Sequence, residues 1–232
     1  MKKILVLLFS LYVGGLYSQS VELAAGLNLN KFYQTSKSNP HYSGSYSMGS
    51  GYAIRGAYNT SEYNKWTLRF TIAYDQYQGG FLAENSGLGG GYSLDAKVKK
   101  SVLELGISPL NFKMFKHLYL SFGVNYSFLL TEDFTGIAHS WQAGDSKTWD
   151  VSDENAEFNS STYFGVNGSI SYDFVLSDDI SIFPQYTYYL GLSKEFIKFP
   201  DFTKSMRHYF SIGVKKRIIP HSSRYEDSND NR

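Results

Sequence analysis

The chain has 232 residues, of which 17% are aromatic and only 19% charged, with 20 Tyr, 17 Phe, 21 Gly, 5 Pro and no Cys. A mean hydropathy of −0.30 and the lack of a long apolar run after the N-terminus exclude a helical membrane bundle, and zero Cys excludes disulfide scaffolds, thiolate metal sites and a lipidated N-terminal Cys. The formal charge is +1, and removal of Lys2 and Lys3 leaves 20 basic against 21 acidic residues, so nucleic acid is not an expected partner.

Met1-Lys2-Lys3 followed by the apolar stretch Ile4 to Val13 and the small residues Gly14, Gly15 and Ser18 reads as a signal peptide over 1–18. The apolar stretch falls well short of the roughly 20 residues that span a bilayer as a helix. The expectation is therefore an exported chain beginning near Gln19.

From there the dominant signal is period two. In Trp66 to Tyr74 the even positions are large and apolar and the odd ones small or polar; Leu118 to Leu130 repeats the pattern over a longer run. Such alternation describes a strand between two different environments. Eight segments show it, at about 20–31, 50–58, 65–77, 101–110, 117–130, 162–176, 179–192 and 206–218. The connections run long, short, long, short, long, short, long, with the long ones at 32–49, 78–100, 131–161 and 193–205. That is the order expected of a bacterial outer-membrane barrel with both termini in the periplasm.

One face of these segments is free of Asp, Glu, Lys and Arg until Lys31 and Lys216 near strand ends, while the other is rich in Gly, Ser, Thr, Asn and Tyr. A charge at the bilayer midplane costs about 2–4 kcal/mol, so the one-sided exclusion has a physical cause. Outward Tyr52, Tyr74, Phe128 and Phe164 on one side, with Tyr58, Trp66 and Phe174 on the other, suggest two interfacial girdles. The fold class expected is all-β: an eight-stranded antiparallel up-and-down transmembrane β-barrel over 19–218, with a polar tail at 219–232 that is expected to be disordered. Pro184, inside a strand, predicts a bulge or edge-like position.

Val21-Glu22-Leu23-Ala24-Ala25-Gly26-Leu27-Asn28-Leu29, Leu103-Glu104-Leu105-Gly106-Ile107-Ser108-Pro109-Leu110 and Tyr209-Phe210-Ser211-Ile212-Gly213-Val214 resemble strands of the PorT-like outer-membrane β-barrel domain family. The resemblance implies a small outer-membrane barrel, some members of the family assisting a protein secretion system.

On the polar face lie the acids Glu22, Asp75, Glu104 and Asp173 and the bases Arg55, Arg69, Arg207 and Lys215. An eight-stranded barrel has room only for side chains, and buried charges must pair, so an interior salt-bridge network is expected. Strand adjacency suggests Arg69 with Glu104, and Glu22 with Lys215. The alternative is a narrow pore of low conductance lined by the same groups.

No motif for chemistry stands out. The His residues at 41, 117, 139, 208 and 221 lack metal-ligand spacing, and Gly87 to Gly91 reads as a flexible loop rather than a phosphate cradle. Neither a cofactor nor a metal is expected. A rim enzyme acting on lipid or protein would have to use His139, Ser140 and Asp145, or His41 and Ser43. The segment 131–161 carries Trp141 and Trp149 among Asp145, Asp150, Asp153 and Glu154, a candidate surface for a glycan, a protein or a cation. Packing of both Trp onto the barrel rim is the simpler alternative. The leading functional expectation is a non-enzymatic envelope protein in contact with outer-membrane lipids, accessory to a secretion or surface-assembly complex through its loops or tail.

Overall fold

The computed structural model describes residues 19–34, 42–60, 66–151, 160–196 and 203–218; the segment 1–18, expected to be a signal peptide, and the tail 219–232, expected to be disordered, lie outside them. The strands are β1 (Gln19–Gln34), β2 (Tyr42–Asn59), β3 (Trp66–Gly87), β4 (Gly90–Lys113), β5 (Leu118–Gln142), β6 (Asp145–Asp150), β7 (Thr162–Tyr172), β8 (Phe174–Val175), β9 (Ile180–Gly191) and β10 (Thr203–Ile218). All pairings are antiparallel. β10 pairs with β9 and also with β1, from Gln19↔Ile218 to Gln34↔Thr203, which closes the ring. β6 folds back on β5 outside the ring.

β7 and β8 form one wall strand, so the barrel has eight. The β7–β9 ladder stops at Ser171↔Gln185 and resumes with β8 at Phe174↔Ile182 in the same register. Pro184 falls in that gap. It has no N–H to give to the ladder, and the result is the edge-like alternative: the ladder to β7/β8 is interrupted at Pro184 while the pairing with Ile212 of β10 is kept, without a bulge.

The expected alternation of long and short connections does not survive as loop lengths, because two of the long segments are themselves strand. β3 and β4 continue past the expected strand ends to a two-residue turn, Gly87↔Gly90, and β5 continues to Gln142 before β6 returns along it. The Gly87–Gly91 run, expected as a flexible loop, is the tip of this hairpin, with Gly89 at φ +89°. The second turn uses Ala143 (φ 31°) and Gly144 (φ 100°), and Ala143 N–H donates to Gly89 O at 2.9 Å, tying the two tips together.

The strands therefore pass through two environments. In the lower part, outward side chains are apolar and exposed, as with Leu27 (68% exposed) and Ile212 (67%), while inward Arg207 is 0% exposed. In the upper part the sidedness reverses. Phe32, Tyr77, Phe81, Leu94, Val98, Phe134 and Phe196 are buried inside, and Glu84, Asp95, Lys97, Lys99 and Asp133 face outward. This is the sidedness of a transmembrane barrel carrying a water-facing cap. On β5 the change coincides with a register shift opposite Ser101/Val102, which leaves Leu130 unpaired with β4 and moves the inward set from odd positions (Asn125, Ser127) to even ones (Phe134, Ala138). The outward apolar series Leu118 to Leu130 covers 12 residue steps, about 40 Å of strand; a tilt near 45° reduces that to about 30 Å, a bilayer core thickness.

Aromatic rings collect at the margins of this belt. Tyr52 pairs with Tyr74 (ring centroids 6.0 Å) and Tyr126 with Phe128 (5.0 Å) on the cap side, and Tyr172 pairs with Phe174 (4.9 Å) at the opposite end. The side chain of Trp66 lies outside the described residues.

The candidate functional site: a filled lumen under a folded cap

The expected interior charges all point into the lumen, where they form two storeys. In the lower one Arg69 Nη2 donates to Glu22 Oε2 at 2.6 Å, Lys215 Nζ lies 3.4 Å from Glu22 Oε1, and Lys215 donates to Asp173 Oδ2 at 2.8 Å. Asn59 Nδ2 donates to Glu22 at 2.8 Å and to Ser20 Oγ at 3.0 Å. This chain of contacts crosses the lumen from β3 through β1 and β10 to the β7/β8 wall.

The middle storey centres on Arg207. Its guanidinium pairs with Asp75, lies 2.8 Å from Glu104 Oε1, and stacks over the Tyr189 ring at 3.9 Å and the Tyr77 ring at 4.5 Å. Asp75 also accepts from Asn28 Nδ2 and Tyr209 OH, each at 2.5 Å. Arg55 Nη2 lies 3.9 Å from Glu104 and over the Tyr209 ring at 5.0 Å. Side chains from β3, β4, β9 and β10 thus converge on one guanidinium, and the lumen is occupied at that level.

The Arg69–Glu104 pair expected from strand adjacency does not form. Arg69 is in register with Ser108, and Ala73 with Glu104, so the two charges stand four rungs apart, about 13 Å along the ladder. Arg69 instead reaches over the small Ala57 of β2 to Glu22. Barrel stagger, which adjacency ignores, decides the partner.

A third storey rests on residues that the sequence placed in loops. Lys100 Nζ donates to Glu195 Oε2 at 2.8 Å, Glu195 O at 3.1 Å and Tyr163 OH at 3.2 Å, and sits over the Phe196 ring at 4.4 Å. Tyr77 OH donates to Glu195 at 3.1 Å. Burial raises the Glu195 carboxyl's pKa, but the Lys100 charge and hydrogen bond lower it further, leaving the group below its ordinary value of 4.5. Glu195–Phe196 therefore fastens the connection after β9 beneath the aromatic cap. The sequence signal was the continued alternation on β4: Leu94, Ala96, Val98, Lys100 and Val102 share one face.

The candidate loop-binding residues separate. Trp149 points into the cap, with Tyr92 at 5.9 Å and Lys147 over its ring at 5.6 Å. Trp141 lies on the outer face, its ring against Gly91, with His139 stacked beside it at 5.6 Å. Asp145 and Asp150 bound β6 and are exposed, whereas Asp153 and Glu154 lie outside the described residues. Among the described residues no cluster of three or more His, Asp or Glu is placed to hold a metal ion. His139 Nδ1 lies 2.8 Å from Thr148 Oγ1. Adjacent strand residues point to opposite faces, so β5 sets Ser140 away from that imidazole; His41 is outside the described residues.

No family model matches the chain, and no curated protein matches it by sequence. Among solved structures it is similar to outer membrane protein OprG from Pseudomonas aeruginosa at 14% identity (TM-score 0.41, 89% of this chain and 99% of that one). It is also similar to Ail, the attachment invasion locus protein of Yersinia pestis, at 14% identity (TM-score 0.38, 87% and 99%). A third likeness is to Neisserial surface protein A at 14% identity (TM-score 0.37, 84% and 96%). The outer membrane protease OmpT from Escherichia coli is a more distant likeness at 7% identity (TM-score 0.35, 87% and 96%).

Proposed function

We propose that this chain is a non-enzymatic barrel of a Gram-negative outer membrane, with both termini in the periplasm, that holds its cap at the cell surface for contact with envelope proteins. The observation that carries this is the reversal of sidedness along single continuous strands: apolar outside below, apolar inside above. A water-soluble barrel has no reason to expose Leu27 and Ile212 while burying Arg207. The ion-paired lumen gives the protein a rigid stem rather than a conduit, and the β3–β4 and β5–β6 hairpins give it a folded surface. The PorT-like resemblance adds the class of partner: subunits of a secretion or surface-assembly complex. The test is affinity purification of a version tagged in the β5–β6 turn from isolated outer membranes in mild detergent, with mass spectrometry of what accompanies it. A stoichiometric envelope partner is the expected result. Recovery of the barrel alone, or its absence from the outer-membrane fraction, would overturn the proposal.

A further inference from the structure

On the outer wall, just above the apolar belt, β2 to β5 leave a groove of about 410 Å³ framed by Ser47, Met48, Gln78, Lys97, Lys99 and Asp133. Its floor is Gly80, whose missing side chain leaves the space open; a Cβ there would press on Ser47 Oγ. Gln78 pairs with Lys99, and Gly80 with Lys97, so both lysines stand along one wall of the groove. Lys31, in register with Met48 on β2 and Met206 on β10, and Lys204, in register with Tyr33, continue the basic arc around the barrel.

The height of the groove matters as much as its charge. The Tyr74↔Leu103 rung marks the top of the belt, and the Gln78↔Lys99 rung lies four residues above it. That is about 13 Å along the strand, or about 10 Å along the membrane normal. The headgroup layer extends roughly 5–7 Å beyond the hydrocarbon, and a lysine on its four-carbon stem reaches down into it. Lys97 and Lys99 project from the same face of one strand, two residues apart; Asp133 stands opposite Lys99 and Thr135 opposite Lys97, so these three charged side chains leave the groove one net positive charge.

From these positions the geometry points to a site for the phosphorylated headgroup of an outer-leaflet lipid. Lys97 and Lys99 bind the phosphate oxygens, Ser47 and Gln78 hydrogen-bond to neighbouring polar groups, and the acyl chains run down past Met48 over the Tyr52–Tyr74 pair. The apolar continuation below the groove favours a lipid over free phosphate. The inference rests on the membrane placement proposed above, and its test is separate from cell fractionation.

The protein is purified folded in zwitterionic detergent and titrated with bisphosphorylated lipid A, with the same lipid stripped of phosphate, and with inorganic phosphate. Binding is followed by calorimetry and by the thermal midpoint. Saturable binding of the phosphorylated lipid is expected, weakened roughly 25-fold in the Lys97→Gln/Lys99→Gln variant from the usual contribution of a lysine near an anionic membrane surface. Lys113→Gln, at the opposite end of the barrel, should bind as the parent does. Equal binding of the dephosphorylated lipid, or no loss in the double variant, would overturn the site. Inorganic phosphate binding as tightly as the lipid would overturn the lipid as its occupant. Gel mobility of the unheated sample shows that each variant is folded, so loss of binding is not loss of fold.

Discussion

Arg207→Met removes the centre of the middle storey while keeping most of its volume against Tyr77 and Tyr189. The parent guanidinium serves both Asp75 and Glu104; after substitution Glu104 retains Arg55 at 3.9 Å, whereas Asp75 keeps only its neutral donors Asn28 and Tyr209. Breaking a buried pair by deleting one partner typically costs about 3–5 kcal/mol, because the remaining charge is left without compensation. That range is the expected loss, read from urea unfolding in lipid vesicles by circular dichroism and by mobility of the folded form on gels. The double variant Arg207→Met/Asp75→Asn removes the stranded charge and should recover about half of the loss. A single-variant loss under about 1 kcal/mol, or a double variant no better than the single, would refute the claim that paired charges organise this lumen.

Ile72→Arg, at an outward position 53% exposed, should cost roughly 2–4 kcal/mol in vesicles; a change within about ±0.5 kcal/mol, the norm for a water-facing sheet surface, would count against the membrane belt. Glu195→Ala strands Lys100 inside the cap and should speed cleavage of the connection between β9 and β10 by added protease, with the barrel staying folded on gels; unchanged cleavage would show that Glu195 does not fasten it. Because the Glu195 pKa is lowered on folding, its contribution is present above the unfolded carboxylate value near 4.5 and is lost as pH falls through the lower folded value. Protease sensitivity of this connection should therefore be flat from pH 8 to 5 and rise only below about pH 4. Ala143→Gly relieves a positive-φ turn residue and should stabilise the β5–β6 hairpin by roughly 1 kcal/mol, measurable as slower hydrogen exchange at its ladder.

The membrane half of the fold is legible because lipid imposes a strict rule on one face. Leu118 to Leu130 and Phe70 to Tyr74 could be assigned to strands and sides from alternation alone. The cap half is not, because its rule is the opposite one: from Tyr77 upward the apolar residues Phe81 and Ala83 occupy the parity that belonged to Arg69 and Asp75 below. An observer following one polarity sees the signal stop and assigns a loop. The unpaired Leu130 adds a change of parity on β5 that the sequence does not announce. Which residues are interior charges was readable, and so was the Glu22–Lys215 pair across the closing seam; the partner of Arg69 was not, since it finds Glu22 through a stagger that only closure of the ring defines. Lys100 and Glu195 were missed for the first reason, lying in the reversed half.

The reversal of sidedness also governs how the protein can enter and leave its membrane. In the proposed orientation the outward charges of the cap, Lys97 and Lys99 among them, have to traverse the hydrocarbon during insertion. At roughly 2–4 kcal/mol for a lysine at the midplane, these two alone raise a barrier of about 4–8 kcal/mol. The acids Glu84, Asp95 and Asp133 add to it. Once the aromatic cap has condensed on the far side, withdrawal meets the same barrier plus the cost of dismantling that core. Insertion is therefore a one-way step, and the cap serves as a ratchet that sets topology as firmly as any terminal anchor.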